Sequence, residues 1–109
     1  MAYDQGLAQR LRERLVDQPG LEEKKMFGGL SFLVKGNLAC GVIGEDLIVR
    51  VGPQGDVEAL AQPYTRQFDF TGRPMSGWVV VAPEGIAEDE QLESWVRRGV
   101  SFAGSLPPK

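Results

Sequence analysis

The chain has 109 residues, no histidine and one cysteine, Cys40. Those counts fit one domain over residues 1–109. They exclude Ser-His and Cys-His nucleophile pairs, imidazole or Cys-based zinc sites, an internal disulfide and a CxxC redox pair. The formal net charge is -3, with the excess acid in residues 51–109, so any phosphate-binding face has to be local.

The first helix is predicted from about Asp4 to Asp17. Leu7, Leu11 and Leu15 recur every four residues, Asp4 can cap the start, and Pro19-Gly20 stops it. Arg10, Arg12 and Arg14 fan around its polar side, as on a solvated helix surface. No apolar leader precedes it, and the longest strongly apolar run, Trp78 to Ala82, is far too short to span a bilayer. A cytoplasmic protein with a reduced thiol, and no membrane partner, is expected.

Three strands come next: residues 26–34, Leu38 to Ile43 and Leu47 to Val51. They are separated by the turn residues Lys35-Gly36-Asn37 and Gly44-Glu45-Asp46. Turns this short impose an antiparallel meander. Gly52-Pro53 opens a short helix carrying Val57, Leu60 and Ala61, which Gln62-Pro63 ends. A fourth strand covers Thr65 to Phe70. Thr71 to Gly77 reads as a loop, and Trp78 to Ala82 as a fifth strand, apolar on both faces and therefore interior. The last helix runs from about Ala87 to Ala103, with Glu88, Asp89, Glu90 and Glu93 at its positive end and Arg97 and Arg98 later. The fold class is α+β, a single five-stranded, mainly antiparallel sheet with helices on one face, in the order α-β-β-β-α-β-β-α.

Two segments could carry binding chemistry. Lys24 and Lys25 precede Phe27, Gly28 and Gly29, whose amides could face an anion. No helix follows, so neither a P-loop nor a dinucleotide fingerprint fits. Gly72 to Trp78 offers Arg73, Ser76 and Trp78 within one loop. Arg50, which points opposite to Val49 and Val51, adds a fourth cation. Cys40 sits mid-strand with no base near it in sequence, and the acidic cluster at residues 84–93 serves a helix start and lacks calcium-loop spacing. No catalytic residue, cofactor or metal is assigned.

Lys24-Lys25-Met26-Phe27-Gly28-Gly29, then Gly36-Asn37-Leu38, then Leu47-Ile48-Val49-Arg50-Val51, then Gly72-Arg73-Pro74-Met75-Ser76-Gly77-Trp78 resemble, in order and spacing, the TfoX/Sxy N-terminal domain family. The resemblance covers about residues 3 to 106. It implies an α-β(3)-α-β(2)-α fold and a stand-alone bacterial domain, without the C-terminal helical domain of the members that regulate natural competence. It brings no enzymatic activity with it. The expected function is a non-catalytic regulatory or protein-interaction domain. Its surface would include Lys24, Lys25, Phe27, Gly28, Gly29, Arg50, Arg73 and Trp78, or the sheet face left bare by the helices. A protein partner or a homodimer through that face is expected. The alternative is a small anionic ligand or nucleic-acid phosphate held by the Lys24-to-Gly29 and Arg73-to-Trp78 segments, which the acidic balance disfavours for nucleic acid.

Overall fold

Two-residue turns organise most of the sheet. Val34 and Asn37 pair across Lys35 and Gly36, whose φ values are 52° and 84°. A tight hairpin turn of this hand requires both central residues in that region, which glycine adopts freely and lysine seldom does. Ile43 and Asp46 also pair across two residues, Gly44-Glu45, of which only Gly44 has a positive φ, 58°. A computed structural model describes residues 3–26, 28–70 and 72–108; the side chains of residues 70 and 73–75 fall outside the description.

The elements in chain order are α1 (Gln5–Leu15), β1 (Leu21–Met26), β2 (Gly29–Val34), β3 (Asn37–Ile43), β4 (Asp46–Arg50), α2 (Asp56–Leu60), β5 (Thr65–Phe70), β6 (Arg73–Val81) and α3 (Asp89–Ser105), with a 3-10 turn at Pro83–Gly85. The sheet has six strands in the order β1-β2-β3-β4-β6-β5, and every neighbouring pair is antiparallel.

The α+β class and the open antiparallel sheet match the sequence reading, but the strand count does not. Residues 21–26, Leu-Glu-Glu-Lys-Lys-Met, form an additional edge strand, so the order is α-β-β-β-β-α-β-β-α. Four successive charges give no apolar alternation. An edge strand needs little, because only one of its sides is paired. The last strand is also longer than predicted. It starts at Arg73, where a loop was expected, because residues 73 and 74 pair with Phe70 and Asp69.

All three helices bury residues into one apolar cluster. Leu7, Leu11 and Leu15 of α1, Ala59 of α2, and Leu92, Trp95 and Val96 of α3 meet Phe32, Cys40, Val42, Leu47, Val49 and Val79 of the sheet. Asp4 caps α1, its Oδ1 accepting from the Leu7 amide at 3.1 Å. Asn37, buried at the start of β3, donates from Nδ2 to the Pro107 carbonyl at 3.0 Å and holds the C-terminal tail.

The arginines of α1 are used inside the fold. Arg14 reaches Asp89 at 3.1 Å, Arg10 reaches the same carboxylate at 3.4 Å, and Arg12 makes a two-point contact with Glu23 at 2.9 and 3.0 Å. The acidic start of α3 thus complements its own helix dipole and also anchors α1.

A bulge tunes the helix contact. Phe32 pairs with Cys40 and Leu33 with Leu38, which leaves Ala39 as an extra residue in β3. Ala39 and Cys40 both turn toward the helices, and Ala39 packs with Val34 and Ala103.

Candidate functional site

Strand alternation sends a second set of side chains to the face opposite the helices. In β4 these are Asp46, Ile48 and Arg50; β6 contributes Trp78 and Val80, which pair with Arg50 and Ile48. Ile48, Val80 and Phe68 of β5 form a separate apolar cluster, joined by Ile43 and Trp78. The Phe68 and Trp78 ring centroids are 5.9 Å apart, tilted by 35°. A groove of about 450 Å³ opens beside them, with Ile43, Ile48, Phe68 and Val80 as its apolar wall. Asp46, Arg66 and Asp69 border it, and Arg66 Nη2 lies 3.2 Å from Asp46 Oδ2.

At the other end of this face, Arg50 is clamped between two rings. Its guanidinium carbon is 5.5 Å from the Trp78 centroid and 5.2 Å from that of Phe102 on α3. Every other arginine whose side chain is described pairs with a carboxylate. Arg50 instead faces π-systems, an attraction that grows as the cation is desolvated.

The sequence-derived residues fall in several places. Lys24 and Lys25 are neighbours in β1, so the pleat sends them to opposite faces; both are exposed. Gly28 and Gly29 belong to the hairpin turn into β2, and Phe27 lies outside the described residues. Arg73 starts β6 by its backbone, its side chain being outside the description, and Trp78 is half-buried.

Only Arg50 and Trp78 are brought together among the described side chains of that set. β1 is four strand spacings from β6 in the sheet order, about 19 Å. The two segments also lie toward opposite ends of the sheet. The β1–β2 turn adjoins Ile43 and the Gly44 turn, whereas Arg73 lies beyond the Arg50–Trp78 pair. One small anion therefore cannot touch Lys24, Gly28, Arg50 and Arg73 at once. Sequence reasoning missed Ile43, Phe68, Asp69 and Arg66 as a set. The signal available was the strand pattern Thr65 to Phe70, whose alternation puts Arg66 and Phe68 on one face.

Cys40 is fully buried on the helix side, and desolvation pushes its thiol up to about 12. A thiol held protonated at neutral pH is a poor nucleophile. Among the described residues, no three His, Cys, Asp or Glu side chains gather where they could hold a metal ion. Among the same residues, no helix is long and apolar enough to cross a membrane.

A comparison with curated proteins gives no match. The family model of the TfoX N-terminal domain matches residues 13–103, from the last turn of α1 to Ala103 in α3. That span holds the whole sheet, the Arg50 clamp and the groove. By this match, the chain belongs to the TfoX N-terminal domain family.

Proposed function

We propose that this domain is a non-catalytic regulatory module that binds a partner protein through its helix-free sheet face. The observation that carries the reading is the second apolar cluster, Ile48, Phe68 and Val80, which opens into a groove instead of packing under a helix. The family points the same way, toward regulation. The protonated, buried Cys40 offers no nucleophile, and a buried free thiol suits a cytoplasmic setting.

The rim defines the chemistry of the partner. Asp46 is held by Arg66, whereas Asp69 is exposed and makes no ion pair among the described residues. The fitting ligand is a polypeptide that sets an apolar side chain against Ile43 and Phe68 and a lysine or arginine against Asp69. Burying one such side chain contributes about 1.5–3 kcal/mol. The cation at the rim governs specificity and association rate more than affinity.

The test is affinity capture from the host's own extract with the wild-type domain, Ile43→Glu, Asp69→Arg, and Glu13→Lys on the exposed side of α1. A protein retained by the wild type and by Glu13→Lys, and lost from both groove variants at unchanged thermal midpoint, supports the reading. Identical retention by all four overturns it.

A further inference from the structure

The groove does not account for β1. This strand is an edge of the sheet, and its pairing with β2 runs from Leu21 to Met26 without a bulge. The opposite edge, β5, loses register between Gln67 and Asp69. A regular ladder can be extended only from β1.

The backbone phase of β1 follows from its hairpin. Met26 and Gly29 close a two-residue turn, so they form a hydrogen-bonded pair. The Gly20 carbonyl accepts from the Lys35 amide at 2.9 Å, which gives the same phase at the other end. The even-numbered residues 22, 24 and 26 therefore bond to β2. Leu21, Glu23 and Lys25 direct their amides and carbonyls away from the sheet.

We propose that β1 pairs antiparallel with β1 of a second copy, joining two six-stranded sheets across a two-fold axis at Glu23. Such an axis stands perpendicular to the sheet, so residues that face each other share a side. With Glu23 opposite its own copy, all three outward residues are used: Leu21 bonds Lys25 of the other chain, and the reverse. About six main-chain hydrogen bonds result.

In this register Glu22 faces Lys24 of the second copy, and Lys24 faces its Glu22, both on the helix-free side. These are the non-hydrogen-bonded pairs, where side chains come closest. The sequence Glu22-Glu23-Lys24 is thus complementary to its own antiparallel copy. The like pair, Glu23 on Glu23, is neutralised within each chain by the two-point contact with Arg12. Val16, the C-cap of α1 four positions after Arg12, is 74% exposed.

Charged edge strands ordinarily resist pairing. Here the order of charges blocks other strands while admitting a second copy. The proposal is independent of the groove reading and leaves the helix-free face open for another protein.

Analytical ultracentrifugation of the wild-type chain, Lys24→Glu, and the charge-exchanged double variant Glu22→Lys/Lys24→Glu tests it. A wild-type dimer is expected. Lys24→Glu puts like charges opposite each other twice and raises the dimer dissociation constant roughly tenfold or more. The double variant restores the dimer. Both substituted sites, Glu22 and Lys24, are exposed, so the thermal midpoint of the diluted monomer stays unchanged and loss of fold is separable from loss of pairing. A wild-type chain that stays monomeric at high micromolar concentration overturns the proposal. A dimer indifferent to Lys24→Glu does so too, because its contact then lies elsewhere.

Discussion

Gly99 of α3 rests directly on the carbonyl of Ala39 in β3, and a Cβ at residue 99 would collide with that oxygen. The contact joins two separate features: the bulge that turns Ala39 toward the helices, and a helix position without a side chain. The obstructing atoms are backbone, so no rotamer change relieves the overlap.

Gly99→Ala is therefore expected to destabilise the domain by about 1–3 kcal/mol, the range of an overpacked core. Gly104, five residues on in the same helix, has open space around its Cβ position. Gly104→Ala should be neutral or stabilising by a few tenths of a kcal/mol through helix propensity. Urea denaturation of both variants gives the comparison. Equal effects would show that α3 does not bear on Ala39.

The Arg50 clamp predicts a modest loss with a specific pattern. Arg50→Ala removes both ring contacts and should cost about 1 kcal/mol. Phe102→Leu removes one of them. In a double-mutant cycle, the two substitutions should couple by a few tenths of a kcal/mol or more. Strict additivity would mean that the guanidinium and the Phe102 ring do not interact.

Alkaline pH should expose the burial of Cys40. Its folded-state value of about 12 lies above the ordinary thiol value of 9.0. The folded state therefore holds its proton more tightly, and this contribution is fully present below about pH 9. It is lost as pH rises toward 12, at up to about 1.4 kcal/mol per pH unit. The informative quantity is the difference from Cys40→Val, whose stability profile should be flatter between about pH 9 and 11. In native protein at neutral pH, the thiol should react with a disulfide reagent only at the rate of unfolding.

One carboxylate fastens the start of α2 to β6. Asp56 Oδ2 accepts from Ser76 Oγ and from the Gly77 amide, each at 3.2 Å. Asp56→Ala should cost about 1–2 kcal/mol. Its sharper signature is faster hydrogen exchange at Gly77 with the β2 and β3 amides unaffected. Unchanged exchange at Gly77 would show the carboxylate to be dispensable.

The sequence was legible where turn chemistry and apolar alternation coincide. Lys35-Gly36 and Gly44-Glu45 mark the turns between β2, β3 and β4, whose strands carry Phe32, Val42 and Val49 on one face. β1 was not legible, because Glu22 to Lys25 supply charge and no period. The start of β6 was obscured by Pro74 and Gly77, which read as loop residues yet belong to a bulged strand. For the site, Lys24 and Lys25 look like one cationic pair in sequence, and the pleat separates them. The approach of Arg50 to Phe102 depends on α3 crossing the sheet, which no local pattern encodes.

The strand order carries a consequence for how the chain folds. Four of the five strand pairings join elements adjacent in sequence; only β4 with β6 skips one, across α2 and β5. Hairpins of the first kind close in about 1–10 μs. Committing to the native sheet then rests on a single loop closure, which brings Val79 beside Val49. Val79→Ala should slow folding, whereas a truncation in the outer β1–β2 hairpin should chiefly speed unfolding. The six-stranded sheet is in kinetic terms a four-stranded meander that must capture one hairpin.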